Sequence, residues 1–147
     1  MKIAHVTYYY NDGMGYQDNL LPQYQEKQGH EVVVLTTDLV TPFNNSKAQK
    51  DRRKKVGTYI ENNVRIVRLS HWWEFKERFV HFRNLEKTLA NEKPDYIFHH
   101  GLCASSILTC IKYKMKHPFV FLVADNHADL NISARNRIWK WGYYGVI

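Results

Sequence analysis

An apolar stretch from Ile3 to Tyr9 runs into Asn11-Asp12-Gly13-Met14-Gly15-Tyr16-Gln17 and then into a helical pattern. Bare backbone at that place suits an anion. The first N–H groups of a helix lack partners, the helix dipole is positive there, and glycine admits a phosphate to the main chain. The same Gly-x-Gly also suits a plain tight turn. Further on, His99, His100, Asp125, His127 and Asp129 gather near two strand ends. Such a set could hold a metal or move protons. No recognised ligand spacing joins these residues, so no metal is expected. His99 and His100 are neighbours on a strand and must point to opposite faces, so at most one serves a given site.

Several chemistries fall away on spacing. A dinucleotide fingerprint needs a third glycine where Asp18 stands, and an acid there opposes a pyrophosphate. Asp38 does sit about where a ribose-binding acid belongs, but the missing glycine outweighs it. No Gly-Lys-Ser/Thr exists to form a Walker loop. Ser105 and Ser106 open a predicted helix without the Gly-x-Ser-x-Gly elbow of a nucleophile. Cys103 and Cys110 lie seven apart in that helix and suggest neither zinc nor a disulfide framework.

The elements that must position these residues follow from pattern. "EVVVLTT" (31 to 37) is a continuous apolar run, as in a strand buried on both faces. Between it and the first strand, Leu20, Leu21 and Tyr24 keep helical spacing and Gly29 stops the helix. Pro22 leaves two readings: a helix beginning near Leu21, or a longer one interrupted by the proline. Asn62-Asn63 can turn a hairpin over residues 58–69. Trp72, Phe75, Phe79, Phe82, Leu85 and Leu89 recur every three or four residues, which predicts a long helix with a buried aromatic stripe. A strand opened by Pro94, a helix from Leu102 to His117, an apolar strand ending in "ADNHAD" and a helix capped by Asn131 or Ser133 complete the chain.

Strands alternating with helices predict an α/β fold, a Rossmann-like parallel sheet with helices on both faces. Ligands of such sheets bind outside the carboxyl ends of the strands. Those ends are "YYYNDGMGYQ", "TTD", "HHG" and "ADNHAD", all polar or glycine-rich. The 147 residues hold one domain, and 44% apolar content fits a globular chain. No run reaches the roughly 18 apolar residues of a membrane span, and the start reads as a strand rather than a signal peptide. A cytoplasmic protein is the default.

The net charge is +7, and six bases against one acid in Lys47 to Lys55 supply +5 of it. Such a run is either a solvated loop or the attachment of an anionic partner, with a membrane surface or phosphorylated lipid foremost. The mixed aromatics and bases of "HWWEFKERFVHFR" superficially suit nucleic acid. Their helical period assigns the aromatics to a core, so no nucleic acid is expected.

The segments in their order carry a resemblance. "MKIAHVTYYYNDGMGYQDNLLPQYQEKQGHEVVVLTTD" resembles the N-terminal segment of family 4 glycosyltransferases, "GTYIENNVRIVRL" their hairpin, "KPDYIFHHG" their Pro-Asp-strand-His-x-Gly pattern, and "ADNHAD" their cleft strand end. The resemblance implies the N-terminal, acceptor-side half of a GT-B fold. It also implies retaining transfer of a sugar from a nucleotide sugar to an acceptor, lipid-linked or polysaccharide, as in cell envelope polysaccharide synthesis. By that analogy Gly13, Gly15, Tyr16 and Gln17 approach the donor diphosphate, and His127 is the catalytic cleft histidine. His100, Asp129 and Asp38 line the acceptor cleft. No cofactor is implied, since backbone N–H groups can stabilise the departing diphosphate. The nucleotide-sugar domain of the family does not follow within these residues. The chain therefore reads as an incomplete half, inactive alone, with peripheral membrane contact through Lys47–Lys55 and possible self-association along a sheet edge. The alternative is a non-catalytic Rossmann-like binding module for an anionic partner.

Overall fold

The computed structural model describes residues 1–41, 52–75, 79–102 and 104–125. Strand β1 (Lys2–Val6) leads through the glycine loop to helix α1 (Gln17–Lys27) and strand β2 (Glu31–Thr37). Strands β3 (Gly57–Glu61) and β4 (Val64–Leu69) form a hairpin, and β5 (His71–Phe75) and β6 (Phe79–Phe82) form another. Helix α2 (Leu85–Glu92), strand β7 (Tyr96–His99), helix α3 (Ser106–Lys116) and strand β8 (Phe121–Ala124) follow.

Six strands make one sheet in the order β3-β4-β2-β1-β7-β8. Every neighbouring pair is parallel except β3 with β4. The fold is therefore α/β with a mostly parallel central sheet. Its two faces follow the period of two along each strand. Ala4, Val6, Val33, Leu35 and Ile97 pack under Leu85 and Leu89 of α2 and Cys110 and Tyr113 of α3. Ile3, Val32, Val34, Val64 and Ile66 form the opposite face. That face also carries His5, which α1 reaches through Gln25.

The predicted first hairpin is present. Asn62 and Asn63 turn it with φ of 48° and 67°, the positive values a tight two-residue turn requires. Helix α1 resolves the proline question in favour of the longer helix, with Pro22 inside it. Its buried residues are Asn19 and Pro22, while Leu20 and Tyr24 of the expected apolar stripe face outward. The surface beneath α1 is partly polar, and Gln25 rather than a leucine bonds to it.

The long aromatic helix is not formed. Residues His71–Phe75 and Phe79–Phe82 pair as antiparallel strands, and only Leu85–Glu92 are helical. Aromatic and β-branched side chains fit a pleated surface well. Tertiary contacts decide in its favour: Glu74 turns inward to Arg52 and Tyr9, and Val80 and Phe82 are buried. A register shift between His71 and Trp73 marks a bulge. Trp72, Trp73 and Phe75 remain exposed, so they are not core residues.

The last strand differs in degree. β8 borders β7 alone among the described residues, and Phe121 and Val123 are exposed rather than buried. No described helix is long and apolar enough to cross a membrane.

Candidate functional site

Strand order places the sites. From β1 the chain proceeds to β2 on one side and later returns to β7 on the other. In a parallel α/β sheet that switch leaves a crevice at the carboxyl ends of the strands. The glycine loop leaves β1 there, and His100-Gly101 leaves β7 beside it.

Gly13 and Gly15 have φ of 72° and 69°, a region L side chains rarely adopt, while a Cβ on either would meet nothing within 4 Å. Backbone conformation, not crowding, requires glycine there. Tyr16 precedes α1 and Gln17 is its first residue, so all four predicted donor-binding residues sit at one helix N-terminus. The Gly13 N–H already donates to Glu61 Oε1 at 2.7 Å. Asp18 lies in the first turn of α1. Burial raises its pKa and the nearby Asp125 adds to the rise, while hydrogen bonds from the amides of Asp18 and Asn19 act against it.

The loop is clamped from below by Arg68 of β4, which is only 2% exposed. Its guanidinium donates to Tyr10 O at 2.9 Å, Asp12 Oδ1 at 3.0 Å, Thr37 O at 3.2 Å and Tyr59 Oη at 3.0 Å. Tyr59 in turn donates to Asp12 Oδ1 at 2.5 Å. Burial works to raise the Asp12 carboxyl, but Tyr59 and Arg68 outweigh it and hold the group below its ordinary range. Sequence reading passed over Arg68. The signal was available: position 68 continues the inward register of Val64 and Ile66.

On the β7 side, four residues form a hydrogen-bonded chain. His100 Nδ1 lies 3.2 Å from Asp125 Oδ2, His100 Nε2 lies 3.0 Å from His5 Nδ1, and His5 Nε2 lies 2.6 Å from Gln25 Oε1. Gly101 N–H donates to Asp125 Oδ1 at 2.8 Å. Burial pushes His5 down to about 4, against a smaller upward pull from Gln25. Both ring nitrogens of His100 are engaged, so His100 ties β7 to β1 and β8 rather than presenting a lone pair to a ligand. His99 faces the other way, as adjacency required, with Nε2 2.8 Å from Ser106 Oγ.

On the β2 side, Asp38 follows the strand end and meets His71 at the start of β5. His71 Nδ1 lies 2.6 Å from Asp38 Oδ1, and the His71 backbone N–H donates to the same oxygen at 3.1 Å. Beside them Arg52 grips both oxygens of Glu74 at 2.7 and 3.1 Å, and Tyr9 donates to Glu74 as well. His71 directly precedes the stretch whose period predicts a helix, and nothing local in the sequence points it toward Asp38.

The structure thus brings Gly13, Gly15, Tyr16, Gln17, His100 and Asp38 to one edge of the sheet. His127 and Asp129 lie outside the described residues, as does Cys103. The basic run is described only from Arg52 to Lys55, where Arg53, Lys54 and Lys55 are exposed. No protein-family model matches the chain, and no curated protein matches it in sequence.

Proposed function

We propose that this chain is the acceptor-side domain of a GT-B glycosyltransferase, moving a sugar with retention from a nucleotide sugar to a lipid-linked or polysaccharide acceptor. One observation carries the reading. A loop with two left-handed glycines opens a helix at the switch point of a parallel sheet, where N–H groups can meet a diphosphate without reorganisation. Gly13, Gly15, Tyr16 and Gln17 are assigned to that diphosphate, His127 to the reacting centre, and Asp129 and Asp38 to the acceptor cleft, with His100 bracing the cleft wall through His5 and Asp125 and making no bond to the acceptor. A donor diphosphate has to displace the Glu61 carboxylate from the Gly13 N–H. The membrane or acceptor side is assigned to exposed Arg53, Lys54 and Lys55 together with Trp72, Trp73 and Phe75.

A second reading is a binding module without catalysis. Glu61 on the Gly13 amide and Asp18 in the first turn of α1 favour it, because both place negative charge where a diphosphate belongs. Amide spectra of the 15N-labelled chain, titrated with uridine or guanosine diphosphate, separate the two. Shifts confined to Gly13 through Gln17 support the transferase. No shift there, together with salt-sensitive binding of an anionic polymer, supports the module.

A further inference from the structure

We propose that Asp38 and His71 form an acid–base dyad whose free nitrogen, His71 Nε2, takes the proton from the acceptor hydroxyl. The inference rests on the transferase reading for the identity of the hydroxyl, and on geometry alone for the dyad.

Asp38 stands just past the carboxyl end of β2, the edge at which parallel sheets present their chemistry. Three backbone bonds hold it. Its N–H donates to Leu69 O at 2.8 Å, its carbonyl accepts from Lys54 N–H at 2.7 Å, and its Oδ1 accepts the His71 N–H. The carboxylate is therefore fixed before it touches the imidazole. An ionised carboxylate only accepts, so Nδ1 of His71 is the donor across 2.6 Å. That assigns the tautomer: in the neutral ring Nε2 carries the lone pair.

Nε2 has no hydrogen-bond partner among the described residues, and the side chain is 10% exposed, walled in but not sealed. His81, across the same hairpin, hydrogen-bonds only Ser105 Oγ among the described residues, at 3.4 Å and with no carboxylate to orient it, and the histidines of the six-stranded sheet are engaged or sealed. His100 spends both nitrogens on protein groups, and His5 and His99 are fully buried. Around the dyad, Glu74 is paired with Arg52 and bonded by Tyr9, so its interaction with the imidazole is through space and not by a hydrogen bond. An imidazole oriented by a buried carboxylate, with its far nitrogen open, is the arrangement a general base requires.

The step balances. The acceptor oxygen bonds to the anomeric carbon on the same face from which the diphosphate departs, so the configuration is retained, and the bond from that carbon to the diphosphate oxygen breaks. The electron pair leaves with the diphosphate, and the hydroxyl proton goes to His71 Nε2. The departing diphosphate is then relieved of accepting that proton.

The test uses the whole 147-residue chain with diethyl pyrocarbonate, which acylates an imidazole lone pair, read by peptide-mapping mass spectrometry. His71 is expected to react at least as fast as the exposed His117, despite being largely covered. Asp38→Asn keeps an oxygen for both N–H donors and removes only the charge. It is expected to slow His71 about tenfold, because a charged acceptor polarises the ring more strongly, with unchanged circular dichroism. Imidazole 15N spectra should show the Nδ1–H tautomer in both proteins. His71 reacting no faster than His5 and His99, or indifferent to Asp38→Asn, overturns the dyad. The nucleoside diphosphate titration is scored separately. Shifts at Gly13 to Gln17 with an inert His71 overturn the dyad and leave the transferase reading. A reactive His71 with no diphosphate binding keeps the dyad and overturns its role toward an acceptor hydroxyl.

Discussion

Arg68 shows what one buried side chain does for a site. It donates to two carbonyls beneath the glycine loop and to the Asp12 carboxylate, which Tyr59 also bonds, and its guanidinium stacks 5.7 Å from the Tyr10 ring and 5.6 Å from Tyr59. Arg68→Met should cost about 2–4 kcal/mol in urea unfolding, since orphaned buried acceptors carry their full desolvation penalty. Faster hydrogen exchange at Gly13 should accompany the loss. Glu61→Gln makes the opposite kind of change. It removes a negative charge from the Gly13 amide, and on the transferase reading it should tighten nucleoside diphosphate binding several-fold by calorimetry. The buried histidines set a pH dependence. Burial pushes both His5 and His99 down to about 4 from an ordinary 6.5. Above 6.5 both states are neutral and stability is complete. As pH falls from 6.5 toward 4 the unfolded chain takes up protons the folded one refuses, so stability falls. Below 4 this contribution is flat. The loss approaches about 3 kcal/mol per histidine, and His99→Gln should remove part of that slope in urea titrations across the same range.

At the scale of elements, the second hairpin is the informative case. One run of aromatics satisfied a helical period, yet the chain adopted strands with an inner face of His71, Glu74, Val80 and Phe82 and an outer face of Trp73 and Phe75. The two arrangements predict different mutational costs. In a helix Trp72 belongs to the buried stripe. In the hairpin, Trp72→Ser and Trp73→Ser should each change stability by less than about 1 kcal/mol, while Phe82→Ala should cost about 3–5 kcal/mol. Thermal melts of the three variants distinguish them. The hairpin also explains the dyad: only by starting a strand beside the end of β2 does His71 reach Asp38.

For the whole molecule, charge and exposed aromatics are the features that face outward. The net charge is +7, and the exposed bases Arg53 to Lys55 follow Arg52, whose pair with Glu74 joins this segment to the second hairpin. On the proposed reading this segment meets an anionic surface. Sedimentation with vesicles containing an anionic phospholipid should show binding that weakens steeply between about 0.1 M and 1 M salt, as the screening length falls from about 10 Å to about 3 Å. Trp72→Ser with Trp73→Ser should weaken it further at fixed salt. Equal binding to neutral vesicles counts against an electrostatic partner.

The α/β class, the parallel core strands and the first hairpin were legible in the sequence, because continuous apolar runs and an Asn-Asn turn are local signals. So was the opposition of His99 and His100, since a strand alternates by two. The glycine loop was legible as backbone-rich, but not that Glu61 occupies its first amide. Only tertiary structure decided between helix and hairpin at residues 71–82, because an aromatic run satisfies either period until Glu74 finds Arg52. The pairings Arg68–Asp12, His100–His5 and Asp38–His71 were likewise decided in three dimensions. Their partners lie 56, 95 and 33 residues apart, and no periodicity within one element carries information across such separations.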